Sequence, residues 1–134
     1  MYTFNENIVS DLHKDARGFR PGQSWWQMWD ALGDAEKQNV WDALCSELEE
    51  TMDREQLTQA QNYAKLLNRI LEVMHLGAED TKSALQCIME AEEFSDYDMQ
   101  YGADYFCYHF GLSYDTKKKL PIQEAMNEML AEVA

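Results

Sequence analysis

The chain has 134 residues, of which 46% are hydrophobic and 27% are charged, and its formal net charge is −14. This composition is typical of a folded domain rather than a disordered chain, and we expect one helical domain over residues 1–134. Because Lys and Arg are scarce, the charge argues against direct nucleic-acid binding and against binding to anionic membranes.

Residues 1–23 are expected to be partly loop-like, with one short helix. Ile8, Val9 and Leu12 are spaced so that they share one apolar face of that helix. Two glycines and a proline follow soon after, which predicts that the helix ends near Ala16.

A short helix and a long helix are predicted next. Ser24 is a suitable N-cap for a helix from Trp25 to Leu32. A helical pattern then runs from residue 34 to residue 76, and Gly77 is the residue type favoured just beyond a helix C-terminus. The pattern fits one bent helix or two helices that meet near residues 53–57. Since no Gly or Pro falls there, we favour the continuous helix.

The last third of the chain predicts further helices. Asp80 or Thr81 can cap a helix that buries the apolar residues between 84 and 89. Ser95 and Asp98 have the spacing of a capping box at the start of an aromatic helix that extends to residue 110, and a last helix follows Pro121. The whole pattern predicts an all-α fold, a compact single-domain helical bundle of about five to six helices with one long central helix.

The three cysteines indicate a reducing compartment. Cys45, Cys87 and Cys107 are odd in number and lie in apolar helical contexts, so we expect them to be reduced and to pack as small hydrophobic residues. The N-terminus lacks the features of a signal peptide, and no apolar run reaches the length of a membrane span. The sequence therefore predicts a cytoplasmic protein.

Motifs for metal binding and catalysis are absent from the sequence. Cys107 and His109 lie two residues apart and would point to different faces of a helix, and no Cys-x-x-Cys or His-x-x-x-His occurs. There is also no glycine-flanked serine, phosphate-binding glycine loop or cysteine–histidine signature. We therefore expect no catalytic residue, no metal, no cofactor and no enzyme activity.

Tryptophan is concentrated near the N-terminus, at Trp25, Trp26 and Trp29. Large aromatic side chains dominate both cores and binding hot spots, and core packing is the commoner role. Trp25 and Trp29 lie one helical turn apart and are expected to face inward, which leaves Trp26 exposed. Together with nearby exposed groups, it would form a candidate docking corner of Arg17, Phe19, Arg20 and Trp26.

The tyrosine-rich segment 97–108 can likewise pack in the core or form a binding surface. Tyr97, Tyr101 and Tyr108 are expected to be exposed along one edge of its helix.

Acidic residues form two further candidate surfaces. The runs at residues 47–55 and 90–98 can present carboxylates at regular intervals along helices, either as a solvated face or as a binding face. The candidate partner-binding residues there are Glu47, Glu50, Asp53, Glu90, Glu93 and Asp96.

Basic residues are also unevenly distributed, near residues 13–20 and at residues 117–119. They can pair with the acidic helices. Alternatively, patches of opposite charge can support a homo-oligomer.

The N-terminal third resembles a known protein family. Three features in order carry the resemblance: the run Asn7–Pro21 (NIVSDLHKDARGFRP), then Trp25, Trp26 and Trp29, and then WDALC at residues 41–45. Together they resemble a group of small acidic proteins of tailed bacteriophages and prophages. No activity, cofactor or catalytic residue is assigned to that group. The resemblance implies the cytoplasm of an infected bacterium, where small acidic proteins often bind and block host machinery.

Three functional hypotheses follow. The preferred one is a non-enzymatic phage-type accessory protein that binds a host protein and inhibits or redirects it. The second is an acidic mimic of DNA that inhibits a nucleic-acid-binding protein. The third is a structural or assembly component of the virion.

Overall fold

The computed structural model describes the backbone of residues 1–133 and the side chains of residues 1–132. Within this range the chain forms eight α-helices and no strand. The predicted all-α class is therefore confirmed, whereas the predicted number of five to six helices is too low. The helices are α1 (Val9–Arg17), α2 (Gln23–Asp30), α3 (Asp34–His75), α4 (Thr81–Ala91), α5 (Asp96–Gln100), α6 (Ala103–Phe110), α7 (Thr116–Lys119) and α8 (Ile122–Val133).

The chain forms two compact units, Met1–Glu55 and Gln56–Ala134. Helix α3 begins in the first unit and ends in the second, without interruption over 42 residues. The continuous long helix favoured from the sequence is therefore confirmed. One domain over residues 1–134, packed as a single bundle, stays a prediction.

The core of the first unit is small and aromatic. Val9 of α1, Trp29 of α2 and Leu44 of α3 are each at most 1% exposed. The indole of Trp25 stacks on that of Trp29, with 5.3 Å between ring centroids. The N-terminal segment is fixed to α3 by Gln38, whose Oε1 accepts hydrogen bonds from the backbone N–H groups of Thr3 and Phe4.

The core of the second unit is built around α4, which packs mainly against α8. Ala84, Leu85, Ile88 and Met89 are all fully buried on one face of α4, as the sequence predicted. The Asp80 carboxylate caps the helix, because its Oδ1 accepts a hydrogen bond from the Ser83 N–H at 2.8 Å.

Three of the described helices, α3, α4 and α6, end in the same hydrogen-bonded turn. At the end of α3, the Ala78 N–H donates to the Val73 carbonyl and the Gly77 N–H to the Met74 carbonyl, with Gly77 at a φ of 130°. This arrangement is the Schellman motif, and it confirms Gly77 as the terminating residue.

The same motif ends α4, but the residue at its left-handed position is not glycine. The Phe94 N–H donates to the Met89 carbonyl and the Glu93 N–H to the Glu90 carbonyl. Here the residue with left-handed backbone is Glu93, at a φ of 60°. A residue with a Cβ is strained in this conformation, whereas glycine is not.

The predicted single helix from residue 97 to residue 110 is wrong. Its capping box is present, since Ser95 and Asp98 exchange hydrogen bonds of 3.0 and 3.1 Å. However, Gly102 adopts a φ of 79°, which interrupts the helix and separates α5 from α6. The Gln123 side chain stabilises this break, because its Oε1 accepts a hydrogen bond from the Ala103 N–H at 2.9 Å.

Both ends of α2 also differ from the prediction. Ser24 lies inside the helix, while Gly22 occupies the N-cap position, and no side-chain hydrogen bond caps the helix. The helix ends at Asp30, two residues before the predicted end. Glycine is accepted at an N-cap because the extended backbone there does not require a side chain.

The cysteines are free, but their burial differs from the prediction. Cys107 is buried, whereas Cys45 and Cys87 are exposed. Apolar neighbours in sequence did not predict burial here, because Cys45 and Cys87 lie on the outer faces of α3 and α4, whose inner faces hold Leu44 and Ile88.

Replacing Glu93 by glycine is expected to stabilise the protein. Glu93→Gly removes the strain of a left-handed residue with a Cβ, so we expect the free energy of unfolding to rise by about 0.5–1 kcal/mol. The matched control is Glu90→Gly, inside α4, which should lower it by up to about 1 kcal/mol. Urea denaturation followed by circular dichroism measures both. Equal losses in the two variants would contradict the assignment of strain to Glu93.

Candidate protein-binding surface

The tryptophan cluster belongs to the core of the first unit. Trp29 is 1% exposed, and Trp25 and Trp26 are half-buried against the same core. The rings of Trp25 and Trp26 meet edge to face at 5.0 Å. The prediction that Trp26 is exposed is therefore wrong, because its side chain packs against Trp25 and the core of the first unit.

Arg17 is engaged in an ion pair. Its guanidinium donates two hydrogen bonds to Glu47 on α3, at 2.8 and 3.1 Å. This bidentate contact lowers the pKa of Glu47 and raises that of Arg17. Glu47 is half-buried, so it does not belong to an exposed acidic ridge as predicted.

A buried histidine lies beside this pair. The His13 side chain is enclosed, and its Nδ1 lies 2.7 Å from the Phe19 carbonyl oxygen, so Nδ1 carries the proton. Arg17 Nη1 donates towards Nε2 of His13 at 3.5 Å. His13 therefore fixes the turn that follows α1 rather than facing a substrate.

The remaining corner residues do not form one free patch. Arg20 Nη1 donates to Asp11 at 2.6 Å and to Ser10 at 3.1 Å. Phe19 is 61% exposed and meets the His13 ring edge to face. Of the four predicted corner residues, only Phe19 is an apolar side chain that is largely open to solvent.

The other predicted acidic residues are exposed. Glu50 and Asp53 lie on α3 and Glu90 on α4, and none of them forms an ion pair with a residue that the structure describes. Glu93, between α4 and α5, and Asp96, the first residue of α5, are also exposed. These residues precede a row of aromatic rings, which the sequence indicated only in part.

Four rings spaced four residues apart form a continuous row along α5 and α6. Successive ring centroids are 5.3, 6.2 and 6.1 Å apart. Tyr97 is 66% exposed and Tyr101 is 60% exposed, as the sequence predicted for both. We call this row the tyrosine ladder: Tyr97, Tyr101, Tyr105 and His109.

Buried contacts hold the tyrosine ladder in place. The Phe94 ring is buried, and its centroid lies 5.3 Å from that of Tyr105 and 4.8 Å from that of His109. At the outer end, the Tyr101 hydroxyl donates to the Tyr97 hydroxyl at 2.7 Å, which raises the pKa of Tyr101. The rings are therefore positioned before any partner arrives.

One carboxylate contacts the tyrosine ladder, and others lie close to it along the chain. Glu92 accepts a hydrogen bond from Arg69 Nη1 at 2.6 Å, and its other oxygen lies 3.2 Å from Nε2 of His109. The contact with Arg69, followed by that with His109, lowers the pKa of Glu92. Asp98 lies on α5, three residues before Tyr101, and its charge adds to the rise in the pKa of Tyr101 that the contact with Tyr97 causes. Glu93 and Asp96 are exposed in the stretch of chain between Glu92 and Asp98. We call these four acidic groups the carboxylate rim: Glu92, Glu93, Asp96 and Asp98.

Exposed tyrosines beside carboxylates suit the recognition of cationic protein groups. Aromatic faces attract Arg and Lys side chains, and tyrosine is enriched among residues that dominate binding energy. Carboxylates add charge-assisted hydrogen bonds to the same cations. In the part of the chain that the structure describes, no three His, Cys, Asp or Glu side chains converge to hold a metal ion.

Comparison of the chain with protein-family models, with curated proteins and with solved structures finds no match. Among the described helices, none is both long enough and apolar enough to cross a membrane.

The ion pairs of Glu92 predict a pH dependence of stability. Because its pKa in the folded protein is lowered, Glu92 stabilises the fold above the ordinary glutamate pKa of about 4.3, and this contribution is lost as the pH falls through the folded pKa. Glu92→Gln should therefore be less stable than the wild type at pH 7, and the difference should shrink below about pH 4.

Denaturation at a series of pH values measures this difference. Glu90→Gln is the control, since it removes an exposed carboxylate of α4 that forms no ion pair with a described residue. A stability difference for Glu92→Gln that stays constant from pH 7 to about pH 2 would contradict the assignment.

Proposed function

We propose that this protein is a non-enzymatic accessory protein of the tailed-phage type, which binds a host protein and inhibits or redirects it. The observation that carries the proposal is the tyrosine ladder, an exposed aromatic row held in a fixed arrangement beside the carboxylate rim. The N-terminal resemblance supplies the phage context, and the binding surface is assigned on its own chemistry.

Preorganisation favours the tyrosine ladder as a binding surface. A flexible side chain loses about 0.5–1.5 kcal/mol of conformational freedom when a partner immobilises it. Tyr101 and Tyr105 are already restrained, by the hydroxyl contact with Tyr97 and by the buried ring of Phe94. Much of this conformational entropy is therefore already lost on folding. A partner that binds these rings gains more affinity from the same contact area than it would from flexible side chains.

The charge of the surface specifies the partner. The net charge of −14 and the carboxylate rim favour a partner that presents Arg or Lys side chains next to an apolar patch. Attraction between opposite charges speeds association and weakens as salt is added. A host protein with a basic surface, such as one that handles nucleic acid, fits this description.

Truncation of Tyr101 is expected to abolish tight partner binding. Tyr101→Ala removes the second ring of the row and the hydroxyl that fixes Tyr97, so we expect affinity for the captured host protein to fall about 30-fold or more. Tyr101→Phe keeps the ring and should lose much less. Affinity capture from bacterial lysate identifies the partner, and titration with the purified partner measures the affinities.

The matched control is Tyr114→Ala, which removes a tyrosine that is 56% exposed but lies outside the row. It should bind like the wild type. Equal binding by Tyr101→Ala and the wild type would overturn the proposal, as would capture of nothing but the protein's own copies.

DNA mimicry is the second proposed function, and a different surface supports it. Glu49, Glu50, Asp53 and Glu55 are all exposed on α3 and form no ion pair with a described residue. The fifth carboxylate of this run, Glu47, is neutralised by Arg17. Unpaired carboxylates at helical intervals are what a groove built for phosphates would accept.

Mimicry predicts competition with DNA. A double variant, Glu50→Gln with Asp53→Asn, should weaken partner binding about tenfold and flatten its dependence on salt, while Tyr101→Ala should leave it unchanged. Binding assays with duplex DNA as competitor measure this. Partner binding that persists at saturating duplex DNA would exclude the mimic.

A further inference from the structure

The second unit contains a cavity of about 300 Å³ between α3 and the segment that includes α7. This volume lies at the lower end of the range of ligand sites, which is about 300–1,000 Å³. One wall comes from Gln56, Gln59 and Tyr63 of α3, and the opposite wall from Ser113, Thr116 and Lys119.

The second wall is held firmly in place. Asn62 Nδ2 donates to the Gly111 carbonyl at 2.9 Å, which ties the start of the segment to α3. Leu112 is buried in the core, and Leu120 packs against the same core at the other end. The cavity is therefore set by packing on both sides of residues 113–119.

Two hydroxyl groups of this wall have free hydrogen-bonding capacity. Thr116 is 3% exposed, yet its side chain forms no hydrogen bond with a residue that the structure describes. Every fully enclosed polar atom of the described side chains has a partner, so the Thr116 hydroxyl oxygen is not sealed from solvent, and Thr116 is one of the residues that line the cavity. Ser113 Oγ accepts from the Asp115 N–H at 3.3 Å, which leaves its own hydrogen free to donate.

The cavity carries one positive charge and no negative charge, although the net charge of the chain is −14. The Lys119 ammonium lies 5.2 Å from the centroid of the Tyr63 ring, and it forms no ion pair with a described carboxylate. None of the lining residues is acidic, although the chain contains 25 Asp and Glu residues. Lys117 and Lys118 differ from Lys119, because they pair with Asp104 and Asp115.

We infer that this cavity binds a small organic anion, a carboxylate or phosphate monoester that carries an aromatic or apolar group. Lys119 supplies the charge, while the hydroxyls of Ser113 and Thr116 donate hydrogen bonds to the anionic oxygens. The amides of Gln56 and Gln59 add donors on the facing wall. The Tyr63 ring provides the apolar surface for the rest of the ligand, so the site selects metabolite-sized anions.

The test is a nuclear magnetic resonance titration of the uniformly ¹⁵N-labelled full chain with sodium benzoate and with phenyl phosphate. Saturable shifts are expected at the backbone amides of Ser113, Thr116 and Lys119, with a Kd of about 1 mM or tighter. Benzamide, which is neutral, and benzylamine, which is cationic, should bind about tenfold more weakly or not at all. The response of each probe shows whether the site takes carboxylates, phosphates or both.

Variants assign the effect to the cavity. Lys119→Met keeps most of the side-chain volume and should weaken binding of the better probe about tenfold or more, while Thr116→Val should weaken it about threefold to tenfold. Lys118→Met, on the same short helix, is the matched control and should bind like the wild type. Absence of saturation at about ten times the expected Kd, equal binding of benzamide, or equal losses in the two lysine variants would overturn the inference.

Discussion

The arrangement of the exposed aromatic side chains in the second unit depends on the contacts of the Phe94 ring. On its inner side it packs against Phe106 and Phe110, and on its outer side against Tyr105 and His109. Its position is fixed by the turn that ends α4, where its own N–H donates to Met89. The left-handed backbone of Glu93 belongs to this turn and is strained, because the residue carries a Cβ.

Charge pairing explains why the acidic character of the molecule is concentrated at particular places. Most of the basic residues are used internally, so the excess carboxylates have no cation of their own and remain available to solvent or to a partner. Pairing within the chain, one of the two alternatives for the basic residues, is therefore observed for most of them, and a homo-oligomer stays a prediction. The cations that form ion pairs are Arg17, Arg20, Lys37, Arg69, Lys82, Lys117 and Lys118.

Local signals in the sequence predicted the fold better than they predicted the site. Gly77 and the Ser95–Asp98 box act within a few residues, so their roles are readable from spacing alone. The break at Gly102 is not predictable from spacing, because glycine is also tolerated inside helices and the hydrogen bond from Ala103 to Gln123 depends on tertiary packing. The four-residue spacing of the tyrosine ladder was visible, but its inner support from Phe94 depends on tertiary packing that spacing does not encode.

The uneven distribution of aromatic residues gives each unit its own optical signal. All four tryptophans lie between residues 25 and 41, in the first unit, whereas six of the seven tyrosines lie between residues 63 and 114, in the second. Intrinsic tryptophan fluorescence therefore reports on the surroundings of the Trp25–Trp29 stack, and near-ultraviolet tyrosine signals report on the other unit. A single unlabelled sample can reveal whether the two ends of one 42-residue helix lose their packing together or in turn.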